Sequence, residues 1–108
     1  MKAAVVVGAG GSDQLELHEL PDPQITDPHH IRIRVKAAGI NPVDWKCREA
    51  GGFGPDAVPF IPGCDGAGEV ESIGANVERF NVGDEVYWME GGIGTGEAAR
   101  RKVWAMAM

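Results

Sequence analysis

The stretch PFIPGCDGAGEVESIGANVERFNVGDEV, residues 59–86, decides the predicted fold of this chain. Five glycines separate its short apolar or alternating runs: Gly63, Gly66, Gly68, Gly74 and Gly83. Glycine permits left-handed turns, bulges and close approach of two backbones, so this spacing is typical of short strands that bend tightly. We interpret the stretch as one wall of a small β-barrel.

The runs between these glycines predict individual strands. Val70 and Ile73 provide apolar faces, and Phe80 and Val82 alternate with polar neighbours as strand residues do. Gly83 and Asp84 then predict a turn into a last strand over residues 85–88. The fold class is therefore mainly β, with a candidate site at residues 63–65, just before the barrel wall.

Length and charge narrow the classes of function. The chain has 108 residues, which corresponds to one domain, and a net charge of −6. Nucleic acids and anionic membrane surfaces require clustered Lys and Arg, so neither is a predicted partner. No apolar run approaches the ~20 residues of a membrane span. Cys47 and Cys64 form no CxxC motif, and reduced thiols weakly favour a cytoplasmic location.

A strand over residues 1–7 runs directly into a glycine-rich loop, Gly8-Ala9-Gly10-Gly11. This order is also found in dinucleotide-binding loops, but those require a third glycine where this chain has Asp13, and a helix afterwards. Residues 15–20 instead alternate with period two. The pattern favours a β-hairpin over a phosphate-binding loop.

The middle of the chain predicts a strand, a helix and a loop. Residues 31–36 alternate apolar and basic side chains, which indicates a half-buried strand. Asn41 and Pro42 suit the N-cap and first position of a short helix, although Asn41 is also placed to serve a site. Residues 50–62 form a Gly/Pro loop, and its Phe53 and Phe60 belong either to a flap or to apolar anchors.

Two longer segments carry a family resemblance. KAAGINPVDWK (residues 36–46) and PFIPGCDGAGEVESIGANVERFNVGDEVY (residues 59–87) together resemble the N-terminal GroES-like domain of the medium-chain dehydrogenase/reductase superfamily. The similarity is greatest to its zinc-independent quinone oxidoreductase branch. The resemblance implies a partly open GroES-like barrel with short helices over residues 1–90, without the Rossmann domain of that superfamily.

The resemblance also bears on a metal site. In zinc-dependent relatives a cysteine ligand stands at the position of Asn41, a relay hydroxyl at Val43, and Gly-His-Glu where this chain has Gly63-Cys64-Asp65. Zinc prefers thiolate, imidazole and carboxylate ligands, so Asn41 is a poor one. The sequence is accordingly expected to bind no zinc.

Zinc-free members of the superfamily transfer a hydride from NADPH to a quinone or enone. By resemblance, Asn41 is the expected catalytic residue, close to the nicotinamide and the substrate carbonyl, and Asp44 braces its turn. The remaining residues expected near the cleft are Trp45, Lys46, Phe53, Cys64 and Asp65. The implied partner is a small quinone or carbonyl substrate.

Residues 91–108 depart from the family pattern. A Gly-rich loop, Gly91-Gly92-Ile93-Gly94-Thr95-Gly96, leads into a tail that suits a short helix better than the family's strand. We interpret this tail as a truncated or frameshifted continuation, and expect the chain alone to be inactive, marginally stable or self-associating. The alternative is a non-enzymatic GroES-like module that acts through a partner chain or a second copy.

Overall fold

The computed structural model describes residues 1–53 and 56–89. Within these ranges the chain is mainly β, as predicted. Its elements are β1 (Lys2–Val6), a 3-10 turn (Ser12–Gln14), β2 (Leu15–Glu19), β3 (Ile31–Ala38), α1 (Pro42–Ala50), β4 (Asp65–Ile73) and β5 (Glu85–Met89). No helix in this described part is long and apolar enough to cross a membrane. The predictions for residues 91–108 lie outside the described residues.

The N-terminal pair of strands is an antiparallel hairpin. β1 and β2 pair from Lys2 opposite Glu19 to Val6 opposite Leu15, and the glycine-rich loop and the 3-10 turn connect them. Gly10 adopts a φ of 138°, a conformation that L side chains rarely take. The predicted hairpin is confirmed, because β2 follows this loop where a dinucleotide-binding loop would lead into a helix.

The second sheet contains β3, β4 and β5 in that order, all antiparallel. Ile33 and Val35 of β3 and Val70 of β4 are buried, which matches the alternation of the sequence. A Cβ atom at Gly68 would fall on the carbonyl oxygen of Arg34. Glycine at this position therefore lets β4 approach β3 closely at the centre of the sheet.

The prediction of strand structure around Phe80 and Val82 is wrong. Both side chains are exposed, by 37% and 63%, and the segment between β4 and β5 consists of turns. The carboxylate of Asp84 accepts a hydrogen bond of 2.8 Å from the backbone N–H of Asn81. Local side-chain-to-backbone bonds of this kind stabilise turns, and here they prevail over the alternation of the side chains.

Val6 of β1 pairs with Phe60 in the loop before β4. The backbone N–H of Val6 donates to the carbonyl oxygen of Phe60 over 2.8 Å, and the reverse bond measures 3.1 Å. Their side chains and that of Cys47 on α1 form a buried cluster. Phe60 is therefore an apolar anchor of its loop, whereas Phe53 is 48% exposed.

Candidate functional site

The turn between β3 and α1 brings the first polar residue of the site into position. Asn41 has the extended backbone of an N-cap, with φ of −125° and ψ of 158°, and Pro42 occupies the first helical position. Proline suits that position because its fixed φ is helical and its missing N–H has no partner there. The predicted start of the helix is confirmed.

A buried carboxylate fastens this helix start to the loop before β4. Asp44, only 8% exposed, accepts a hydrogen bond of 2.7 Å from the backbone N–H of Asn41. Its other oxygen accepts one of 2.9 Å from the backbone N–H of Gly63. Charge-assisted bonds of this kind fix both backbone segments against each other. Asp44 therefore joins the start of α1 to the loop before β4, and its part in a cleft stays a prediction.

The side chain of Asn41 bridges to the start of β4. Its Nδ2 donates to Oδ1 of Asp65 over 3.0 Å and contacts Sγ of Cys64 at 3.5 Å. The backbone N–H of Gly39 donates to the carbonyl oxygen of Asp65 over 3.1 Å. A Cβ atom at Gly39 would lie within 2.8 Å of the Asp65 carboxyl carbon, so glycine makes room for the carboxylate.

The donor set here does not fit a metal ion. Among residues 1–53 and 56–89, no group of three or more His, Cys, Asp or Glu side chains is placed to hold a metal. Asn41 turns its amide N–H groups toward Cys64 and Asp65, and an N–H group offers a metal no lone pair. This cluster is hydrogen-bonded through the amide of Asn41.

A cavity of about 340 Å³ opens beside this cluster. Four of the residues predicted for the cleft line it, namely Asp44, Trp45, Cys64 and Asp65. Asn41, the expected catalytic residue, lies outside the described lining of the cavity, but Cys64 and Asp65, to which its amide is hydrogen-bonded, belong to that lining. The cavity surface is otherwise largely apolar, which favours a ligand with a hydrophobic body and a few polar atoms.

Lys46 and Phe53 lie outside the described lining of this cavity. The Lys46 ammonium nitrogen lies 5.6 Å from the centre of the Trp45 ring, within the range of a cation–π contact. Both Lys46 and Phe53 are exposed. Their part in a cleft stays a prediction.

Two cavity residues, Trp88 and Arg48, were not expected from the sequence. Trp88 reaches the cavity from β5, and a Cβ atom at Gly66 would lie 2.6 Å from its ring, so that glycine makes room for it. Arg48 lies on the same face of α1 as Asp44 and Trp45, since residues three or four apart are helix neighbours. That spacing was the available signal for Arg48, whereas Trp88 depends on strand pairing.

Comparison with known proteins gives the family. The model of the alcohol dehydrogenase GroES-like domain matches residues 27–106, which is most of the chain. The match continues past residue 90, and the division into residues 1–90 and 91–108 stays a prediction. The mouse quinone oxidoreductase is 36% identical over 87 residues, which cover 81% of this chain and 26% of the mouse protein.

Two further proteins extend the comparison. The human synaptic vesicle membrane protein VAT-1 homolog-like is 36% identical over 88 residues, 80% of this chain and 20% of that protein. The Escherichia coli quinone oxidoreductase, whose structure is a complex with NADPH, superimposes with a TM-score of 0.76 at 26% identity, covering 86% of this chain and 28% of that one. The chain thus spans a fifth to a little over a quarter of these relatives. It belongs to the alcohol dehydrogenase GroES-like domain family, within the medium-chain dehydrogenase/reductase superfamily, and its relatives include quinone oxidoreductases.

Proposed function

We propose that this domain forms the substrate side of the cleft in an NADPH-dependent, zinc-independent oxidoreductase that reduces a quinone or an enone. The observation that carries the proposal is the Asn41 amide, whose two hydrogen-bond partners, Cys64 and Asp65, line an apolar cavity. Similarity to quinone oxidoreductases, one of them solved with NADPH, supports the substrate and cofactor classes. The poor metal donor set supports hydride transfer without zinc.

The chemistry asked of Asn41 is the donation of a hydrogen bond. Its Nδ2 carries two N–H groups, and the contact with Cys64 Sγ, at 3.5 Å, is the longer and weaker of its two bonds. When a substrate carbonyl replaces this sulfur as the acceptor, Asn41 keeps its hydrogen bond to Asp65 and exchanges the long contact with sulfur for a stronger hydrogen bond to oxygen. The N–H then stabilises negative charge as it develops on the carbonyl oxygen.

The rest of the domain orients the amide and keeps water away. Asp44 fixes the backbone of Asn41, and the brace is buried, so the amide is held ready before the substrate arrives. Trp45 and Trp88 supply large apolar surfaces to the cavity, which favour a flat carbonyl compound over water. NADPH, when bound, supplies the hydride.

Titration of the 108-residue chain with duroquinone, followed by NMR, tests the proposal. Duroquinone carries four methyl groups, so no open ring position invites addition by Cys64. We expect shift changes in the Asn41 side-chain amide and in the backbone amides of Gly63 and Trp88, with the exposed loop residue Ser12 as internal control. Binding that leaves the Asn41 amide unshifted, or no binding at millimolar duroquinone, contradicts the proposal.

The alternative function, a non-enzymatic module that associates with a partner chain or a second copy, rests on a different observation. Tyr87 and Met89 of β5 are 89% and 84% exposed, and Ile40 is 91% exposed. Exposed apolar side chains of this size favour association. Sedimentation velocity over a hundredfold range of protein concentration separates the two, because only the alternative requires a complex in the absence of quinone.

A further inference from the structure

Arg48 contributes a positively charged side chain to the lining of the cavity. Among the described residues that line the cavity, it is the only one with a cationic side chain. It is partly buried in the last turn of α1, whereas Asp44 lies in the first turn. At a rise of 1.5 Å per residue, the seven steps from Asn41 to Arg48 correspond to roughly 10 Å along the helix. The cation and the Asn41 amide therefore belong to different ends of the helix.

The guanidinium group of Arg48 is held in place by a hydrogen bond to the hairpin. Its Nε donates a hydrogen bond of 3.1 Å to the carbonyl oxygen of Gly10, and the backbone N–H of Gly10 donates to the Arg48 carbonyl over 3.2 Å. Within the described ranges no carboxylate forms an ion pair with this residue. Arginine often binds a carboxylate through two parallel hydrogen bonds, and the two terminal nitrogens of Arg48 are suited to that geometry.

Two carboxylates share the cavity with Arg48. Asp44, one helical turn before Arg48, and Asp65 both line it, and their carboxylates already accept hydrogen bonds from Asn41 and Gly63. An anionic group placed next to them meets like charge in a partly buried site. A ligand that carries one acidic substituent is therefore expected to place its acid at Arg48 and away from Asp44 and Asp65.

We infer that the cavity takes a quinone or enone that bears a carboxylate, and that Arg48 is the specificity-determining residue for that group. The inference rests on the proposed function, since it names the substrate class of the same cavity. Arg48 then has two separate roles, a structural one and one in ligand selection. Tethering α1 to the hairpin through Gly10 requires only the Nε bond, whereas selection of an acid requires the charge.

The test compares two ligands that differ in charge. Anthraquinone-2-carboxylate and anthraquinone-2-carboxamide have nearly the same shape, and neither has an open position on the quinone ring for a thiol to attack. We expect the 108-residue chain to bind the carboxylate about tenfold more tightly than the carboxamide, in line with a hydrogen bond to a charged group. We also expect this preference to shrink as salt is raised from about 0.05 to 0.5 M.

Two variants separate the charge from the tether. Arg48→Met removes both, and the two ligands should then bind equally. Arg48→Lys keeps the charge without the planar guanidinium, and should retain about half of the preference on a logarithmic scale. If Arg48→Met does not fold, the ligand pair, the salt series and the NMR shift of the Arg48 Nε–H in the unmodified chain still decide the question.

The outcomes distinguish the inference from the function on which it rests. Equal binding of the two ligands to the unmodified chain, with shifts at Asn41, overturns the role of Arg48 and leaves the proposed function standing. Binding of neither ligand overturns the inference alone if duroquinone still binds, and it overturns both if duroquinone does not bind either. A preference for the carboxylate that persists in Arg48→Met also overturns the inference, because the charge then comes from another residue.

Discussion

Residues 8–11 and residues 63–68 are both rich in glycine, and they are held in different ways. The first stretch turns the chain between β1 and β2 through backbone bonds, such as that from the N–H of Val7 to the carbonyl oxygen of Gln14, 3.0 Å long. In the second, Gly63 is fastened by a buried carboxylate, and Gly68 lies against the backbone of β3. Gly10 in the first stretch and Gly63 in the second adopt a positive φ, whereas Gly66 and Gly68 make room for atoms of neighbouring strands.

The two stretches differ in where their neighbours come from: Gln14 and Asp13 of the adjacent 3-10 turn lie against residues 8–11, whereas atoms of β3 and β5 lie against Gly66 and Gly68. Where glycine makes room, Asp65 and Trp88 come close to the helix start and to the cavity. The loop at residues 8–11 is joined to α1 through Arg48 and Gly10. Glycines that admit groups from distant strands let those strands come together beside the cavity, whereas the glycines of residues 8–11 accommodate the turn that follows them.

Replacing a glycine in each stretch should give the largest contrast. Gly68→Ala places a methyl group against the Arg34 carbonyl and Ile33, so we expect a loss of about 3 kcal/mol in the free energy of unfolding. At Gly11 the new methyl group would meet only the Asp13 carboxylate, at 3.1 Å, and we expect a change within about 0.5 kcal/mol. Urea unfolding followed by circular dichroism measures both, and similar losses would contradict the comparison.

Removing an aspartate from each region should give a smaller contrast. Asp44→Ala leaves the backbone N–H groups of Asn41 and Gly63 without their acceptor, so we expect a loss of about 2 kcal/mol in the free energy of unfolding. Asp13→Ala, in the exposed 3-10 turn, is the matched control and should change it by less than about 0.5 kcal/mol. An Asp44→Ala variant as stable as this control would mean that the brace contributes nothing.

Shortening an amide in each region tests the site itself. Asn41→Ala should weaken duroquinone binding by up to about tenfold, because one hydrogen bond to the carbonyl is lost. Gln14→Ala, beside the glycine-rich loop of the hairpin, should leave the affinity unchanged. Fluorescence of the cavity tryptophans provides the titration signal. An equal loss in both variants would show that the effect is on stability and not on the site.

A third turn, at residues 27–30, should show the smallest effect. The backbone N–H and then the side chain of His29 hold the pKa of Asp27 below its ordinary value, with a further contribution from the nearby His30. A carboxylate with a lowered pKa in the folded state stabilises the fold above its unfolded pKa of about 4, and this stability is lost as the pH falls through the folded value.

The test of this turn is the pH dependence of the melting temperature between pH 6 and pH 2. Asp27→Asn should remove a small part of the acid-induced loss below about pH 4 and leave the rest. The shift should be small because Asp27 is open to solvent. A variant whose pH profile coincides with that of the unmodified chain would show that the exposed turn makes no measurable contribution.

The sequence alone determined the local elements of this protein. Alternation over residues 31–36 predicted β3, Asn41 and Pro42 predicted the start of α1, and the missing third glycine excluded a dinucleotide loop at residues 8–11. Each of these predictions depends on contacts within a few residues, which the order of side chains specifies directly. The motifs around Asn41 and Gly63 also gave the family, because several weak signals occur there in a fixed order.

Only the tertiary structure decided what shares the cavity. Trp88 and Arg48 lie forty residues apart in the chain, and both line the cavity. Trp88 reaches it because β5 pairs with β4 at Gly66, and Arg48 reaches it because α1 packs on the hairpin at Gly10. The alternation of Phe80 and Val82 was misleading for the same reason, since in the described part of the chain neither residue belongs to a strand and turn bonds prevail. Pairing between distant strands depends on close backbone approach and on burial, and neither quantity can be read from the local order of residues.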